Sequence, residues 1–246
     1  MQKNFGLRHV IVLALIIAAA LIISACTLSR FFIKLEKDKL LCVKGVSQKI
    51  VKSDVGFFSF LITEKSKISA AKCYMRLNSS MQTAIKRLKE YGFKDDEITL
   101  HKIYTSEINK KDKGRDTNEV LYYVQQQGVT VKSTNVDLLC QKYRELNSLL
   151  AQDINIDINS PQYFISDLEK YKIELLATAT QNARLRAETI AGNSGSEIGK
   201  VVWAQQGVIQ ITAPLSTETS DYGVYNKDSM EKAIKIVVTV KYTVGK

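Results

Sequence analysis

Few side chains in this sequence are able to do covalent or metal chemistry. Of its 246 residues four are Cys and two are His. The cysteines are Cys26, Cys42, Cys73 and Cys140; the histidines are His9 and His101. A protein metal centre needs several Cys or His side chains at short, fixed spacing. Neither histidine has a Cys or a second His at ligand distance along the chain, so metal binding is not expected. No Gly-x-Ser-x-Gly turn presents a serine nucleophile. The densest acidic run, Asp95-Asp96-Glu97, follows Gly92 and reads as a solvated turn; a catalytic carboxylate would need burial and opposing neighbours. The run Gly192…Gly195…Gly199 invites a phosphate-loop reading. Such a loop must follow a strand and open a helix, whereas these glycines follow a helical pattern and precede a strand. A helix cap and turn is expected there. No catalytic, cofactor-binding or metal-binding residue is therefore assigned.

The thiols remain. Ile23-Ser24-Ala25-Cys26, an aliphatic residue and two small ones before Cys, resembles a bacterial lipobox, in which the cysteine is lipidated and becomes the new N-terminus. Cys26 is thus a candidate lipid attachment point. Cys42, Cys73 and Cys140 are three, so within a monomer at least one is unpaired. Cys140 falls on an apolar helical stripe and Cys73 near another, and free cysteine is among the most buried residue types. Core packing is the first expectation for them. An oxidising compartment would allow one disulfide among the three; a redox-reactive thiol is the sharper alternative.

The elements that position these groups begin with a targeting segment. Lys3 and Arg8 precede a stretch, residues 10–29, that is 20 residues long and carries no charge. That is about what a helix needs to cross a bilayer core. A basic start followed by an apolar run is also the layout of a secretory signal. Residues 1–29 are read as a signal-anchor or lipoprotein signal, residues 30–39 as a charged connector, and residues 40–246 as the body. Either form of the segment puts the body at a membrane surface outside the cytoplasm.

In the body, residues 40–51 and 55–63 alternate or are rich in Phe and β-branched residues, and with Lys52-Ser53-Asp54 between them read as a hairpin. Residues 69–91 place Tyr74, Leu77, Met81, Ile85, Leu88 and Tyr91 on one helical face, ended by Gly92. Residues 98–108 and 120–132 read as strands joined by a long polar loop over 109–118. A second helical stripe follows, formed by Val136, Leu139, Cys140, Tyr143, Leu146 and Leu150 and capped by Ser133 or Thr134. Short strands are expected over 154–158 and 163–166. A third helix over 169–191 turns Leu175, Leu176, Ala179, Ala183, Ala187, Ile190 and Ala191 inward, and its alanines imply close packing. Residues 200–206 and 232–244 are strands, and 210–230 is a polar, irregular arm. The pattern ββα-ββ-αβ-αβ-β implies an α+β fold of mainly antiparallel sheets with three helices packed on them.

The formal charge of +10 falls to +8 for residues 30–246, which hold 33 basic and 25 acidic residues. These charges are dispersed, with no run of five like charges and no basic-aromatic platform. Nucleic acid is not expected as a partner; an anionic membrane surface or envelope polymer suits the charge better.

The ordered set of motifs resembles the SIMPL domain family. Val43-Lys44-Gly45-Val46 and Val51-Lys52-Ser53-Asp54-Val55 resemble its opening V-x-G…V-x-P-D-x-A signature. Tyr91-Gly92-Phe93, Asp96-Glu97-Ile98, residues 122–133, residues 177–207 and the closing strand over 236–244 continue the likeness across residues 41–245. Ser53 stands where many relatives have Pro or Ala, and Gly56 near a usual Ala. The resemblance implies an exported or membrane-anchored envelope protein with no established catalytic residues. It also implies a link to oxidative-stress tolerance and ring- or channel-like homo-oligomers. The kinase signalling of the family's eukaryotic namesake is not carried over. The sequence reading is then a non-enzymatic, membrane-tethered, self-assembling protein without cofactor. The alternatives are a thiol-dependent protective protein or enzyme, and a module for anionic lipid or cell-wall polymer.

Overall fold

The computed structural model describes residues 7–36 and 39–245. Lys3, and Lys37 and Asp38 of the connector, lie outside the described residues. Leu7–Glu36 is one continuous helix, α1, of 30 residues. At 1.5 Å rise per residue it is about 45 Å long. Its segment Ile11–Arg30 is long and apolar enough to cross a membrane and has none of its surface buried. A signal sequence has the same character.

The body is α+β, with three helices after α1. In order come β1 (Lys39–Lys52), β2 (Val55–Ser66), α2 (Ala70–Glu90), β3 (Ile98–Asp112), β4 (Arg115–Ser133) and α3 (Val136–Glu145). There follow β5 (Ile156–Ile158), β6 (Gln162–Phe164), α4 (Leu168–Asn193), β7 (Glu197–Gln206), β8 (Gln210–Thr212), β9 (Val224–Tyr225) and β10 (Glu231–Gly245). One sheet runs β1-β10-β8-β9 with β7 also on β10; the other runs β3-β4-β2-β5 with β6 also on β2. Apart from the short parallel β8–β9 contact, the recorded ladders are antiparallel.

The chain divides into two compact units, each discontinuous in sequence. The first comprises Met1–Ser47, Leu176–Gly207 and Val237–Lys246. Here the expected close packing of the alanine-rich helix is observed. Ala179, Ala183 and Ala187 are fully buried. A Cβ on Gly45 would lie 2.0 Å from the Ala179 carbonyl oxygen and 2.8 Å from the Ala183 Cβ. The glycine of the opening motif is therefore what lets α4 lie directly on β1. Asn182 Nδ2 donates to the Val46 carbonyl at 2.9 Å and Arg186 Nη1 to the Lys44 carbonyl at 3.0 Å, fixing the register of that contact. Ile190, expected inward, is exposed; it lies three residues from Ala187 but off the narrow alanine stripe. β7 pairs with β10 from Gln206↔Val238 to Glu197↔Gly245.

The second unit comprises Gln48–Leu175 and Val208–Ile236. Phe58, Phe60 and Ile62 of β2, Val129 and Val131 of β4, Leu77, Met81 and Leu88 of α2, and Leu139 of α3 form its core. Ser69 caps α2, its hydroxyl accepting from Lys72 N–H. Gly92 follows the helix with φ +97°. The buried stripe of α2 is Cys73, Leu77, Met81, Ala84 and Leu88. Tyr74, expected in it, is half exposed, because the stripe passes through Cys73 and the small Ala84 instead.

Three expectations are corrected. Residues 40–51 and 55–63 are not a hairpin: β1 and β2 belong to different sheets. The link between them hydrogen-bonds elsewhere, Ser53 N–H to the Met230 carbonyl at 2.9 Å and Asp54 N–H to the Phe164 carbonyl at 3.1 Å. A proline at position 53 would lack the first of these donors. Residues 109–118 are not a long loop. β3 and β4 continue through them to a turn at Lys113 and Gly114, with φ 49° and 80°. That left-handed pair gives the tight hairpin turn whose twist suits the strands. Polar residues mislead here because both faces of the ribbon meet solvent. The α3 helix stops at Glu145 and continues as a 3-10 turn over Leu146–Gln152. Its cap is Asn135, which accepts from Leu138 N–H, whereas Ser133 accepts from Asn135 N–H.

Candidate functional site

The four thiols occupy separate environments and all are unbridged. Cys26 lies exposed on α1. Cys42, on β1, is exposed at a cavity of about 470 Å³ that also meets Leu185, Arg186 and Ile190. Cys73 is fully buried, and its Sγ donates to the Glu64 carbonyl at 3.2 Å. Burial pushes its thiol above the usual range, the opposite of what a nucleophilic cysteine needs. Cys140 is half-buried on α3, close to the Tyr163 phenol. Burial first, and the Cys140 thiol second, raise the Tyr163 phenol.

His101 Nε2 is 2.8 Å from Thr130 Oγ1 across the β3–β4 ladder. Among the described residues no three His, Cys, Asp or Glu side chains cluster as a metal site. Asp95, Asp96 and Glu97 form a one-turn 3-10 helix in which Lys89 pairs with Asp95 at 2.6 Å. After α4, Ser196 N–H bonds back to the Ala191 carbonyl and Gly195 has φ +68°. The glycine run is thus a helix exit, as expected.

The polar arm is pinned at its base and open at its tip. Gln210 braces Ser220 from both ends of its amide, at 2.7 and 3.3 Å. Tyr163 N–H donates to the Lys227 carbonyl, Ile165 N–H to the Tyr225 hydroxyl, and the Phe164 and Tyr225 rings stack with centroids 5.9 Å apart. Lys232 is completely buried beneath it. Its ammonium donates to the Asn226 and Ser229 carbonyls at 2.5 and 2.8 Å and lies over the Tyr225 ring. Burial lowers its pKa to about 8, against the opposing pull of Asp228. By contrast Leu215 and Tyr222 are 97% and 98% exposed.

Two buried charged residues escaped the sequence reading. Lys232 shares strand parity with Ile234, Ile236 and Val238, all buried. Glu64 shares it with Phe58, Phe60 and Ile62, and accepts from Ser80 Oγ at 2.7 Å. Parity was the available signal in both. At a third polar pair burial raises the Asp54 carboxyl, but the Ser166 hydroxyl and backbone N–H outweigh it and hold the group below the usual range.

No curated protein matches the chain. Solved structures alike over part of it include two chains named as hydrolases. One is an amidase of the hydantoinase/carbamoylase family from Burkholderia phymatum, at 11% identity and TM-score 0.31, covering 52% of this chain and 35% of that one. The other is a putative aminohydrolase from methicillin-resistant Staphylococcus aureus, at 10% identity and TM-score 0.25, covering 57% and 39%. This chain thus spans little more than a third of either, and at these scores neither likeness bears on fold or chemistry. The family comparison covers far more: the model of SIMPL, described as a protein of unknown function (DUF541) and not as an enzyme family, matches residues 41–244, so the chain belongs to the SIMPL family.

Proposed function

We propose that this is a non-enzymatic, membrane-tethered cell-envelope protein whose SIMPL body, residues 40–246, stands outside the cytoplasmic membrane and assembles with copies of itself. In this reading residues 1–29 are the anchor and 30–39 the connector. The observation that carries it is α1, unburied and apolar over Ile11–Arg30, directly preceding the family domain. The helix also runs unbroken past Cys26, with Thr27 and Ser29 hydroxyls bonding back to the Ser24 and Cys26 carbonyls. An uncleaved anchor is the first reading and lipidation at Cys26 the second. Intact mass of the membrane-extracted protein tests this: the full-chain mass is expected, and a diacylated product beginning at Cys26, or a cleaved soluble one, overturns the anchor.

The assembly claim draws its support from the arm, whose pinned base presents Leu215 and Tyr222 almost wholly to solvent. Light scattering of the full chain in non-ionic detergent should give an oligomer that Leu215→Ser with Tyr222→Ser weakens. A strict monomer at micromolar concentration removes this part of the proposal. The link to oxidative-stress tolerance rests on family likeness. A thiol-dependent form of it is favoured only at Cys42, which is exposed beside Arg186. Loss of the cellular phenotype in Cys42→Ser, but not in Cys73→Ser or Cys140→Ser, would favour that second reading.

A further inference from the structure

At the start of α2 a cavity of about 500 Å³ is lined by Lys65, Ser66, Lys67, Ile68, Arg76 and Tyr122. That volume suits a small organic ligand. Its lining holds three basic side chains and no carboxylate. The nearest acid in sequence, Glu64, faces inward and is only 7% exposed at its side chain. It takes a hydrogen bond from Ser80 at 2.7 Å and holds Arg76 Nε at 3.5 Å. Arg76 Nη1 donates to the Lys65 carbonyl. The ion pair and this one hydrogen bond orient the guanidinium, and most of its five donors are left for a ligand. Lys65 Nζ lies 5.5 Å from the centre of the Tyr122 ring. Ile68 is 78% exposed at the opening. The first-turn N–H groups of α2 add positive potential at the same end.

Other cavities lack this combination. The one that Arg184 lines holds no second basic side chain, and its guanidinium is engaged by Glu188 at 2.8 Å. Beside Cys42 the lining holds two basic side chains, Lys44 and Arg186, and is otherwise mostly apolar.

We propose that this cavity binds an organic phosphate, its phosphate group held by Arg76, Lys65 and Lys67 and its apolar or flat part resting against Ile68 and Tyr122. A phosphate dianion matches a planar arginine fork flanked by two ammonium groups. Exposed Ile68 and the Tyr122 ring give the organic part a surface that inorganic phosphate would leave unused. The site depends neither on tethering nor on assembly.

The test is calorimetric titration of the full chain, held in phosphatidylcholine nanodiscs, with phenyl phosphate as probe. Saturable one-to-one binding is expected, weakened about tenfold or more by Arg76→Gln, since a hydrogen bond to a charged group is at stake. Lys67→Gln should weaken it less, and Lys102→Gln on β3 not at all. Lys67 is exposed, so that variant keeps the test decisive if Arg76→Gln does not fold. Discs containing phosphatidic acid separate the two sources of the chemistry: competition with phenyl phosphate marks a lipid headgroup, and undiminished binding marks a soluble phosphate. Binding weaker than about 1 mM, binding unchanged in both cavity variants, or inorganic phosphate binding as tightly as phenyl phosphate would overturn the proposal.

Discussion

β2 and β3 ladder onto opposite edges of the same strand, β4, yet their side chains meet opposite conditions. Phe58, Phe60 and Ile62 of β2 are at most 2% exposed, whereas Leu100, Tyr104 and Ile108 of β3 are 39–56% exposed. β2 is covered by α2 and α3 and flanked by β5 and β6; β3 is a sheet edge. The last β2 partner on β4 is Tyr123, so beyond it β4 pairs only with β3. Backbone pairing sets the geometry of both strands, but apolar burial stabilises only one. A two-stranded ribbon is marginal by itself and is expected to open locally, well below the global unfolding free energy.

The largest expected effect lies on the buried side. Phe58→Ala removes a ring packed against Phe60, Phe93 and Tyr143, and should lower global stability by about 3–5 kcal/mol in denaturant titration. A loss below about 1 kcal/mol would mean β2 is not the core strand described.

Next comes Lys232, the buried counterpart of the ribbon's exposed lysines. Its pKa falls from 10.5 to about 8 in the folded chain. Between those values the unfolded chain binds more protons, so stability rises with pH through that window and is lost again as pH falls through 8. The rise should be on the order of 2 kcal/mol, read from denaturation midpoints at pH 7.5 and 10.5. Lys232→Met should abolish it; an equal rise in the variant would assign the effect elsewhere.

Two carboxylates sharpen the contrast further. Glu64→Ala strands the Ser80 hydroxyl in a partly buried setting and should cost about 1–3 kcal/mol. Glu119, 67% exposed and paired with Lys110 on the ribbon, should cost under about 1 kcal/mol when changed to Ala. Equal losses would erase the distinction. Between these sits Gly114→Val, which forces a β-branched residue into φ 80°. It should add roughly 1–2 kcal/mol of local strain, seen as faster amide exchange over residues 107–122 with an unchanged global midpoint.

What could be read from the sequence followed from local rules. Ser69 and Gly92 bound α2, alternation marks β10, and the alanine spacing of α4 marks its packing face. The misreadings share a cause. Ser53-Asp54 has turn composition, but whether two strands at a short link pair with each other depends on what else their edges meet. Residues 109–118 look like loop because a ribbon exposed on both faces has no apolar alternation to show. Tyr74 lost its expected place to Cys73 and Ala84 because the helix rotates to fit the surface beneath it. The cavity at the start of α2 was not legible at all: Lys65 and Lys67, Arg76 and Tyr122 come from three separate segments.

By itself the sequence determined the apolar N-terminal helix, the α+β class, most element positions and, through its ordered motifs, the family. These depend on composition and on periods of two and 3.6 residues, which are properties of single segments. Only the tertiary structure decided which strands share a sheet, which thiols are covered, that Lys232 and Glu64 lie inside, and where basic groups line one cavity. Those are relations between distant segments, fixed by the joint demand to bury apolar faces and to pair the polar groups carried in with them.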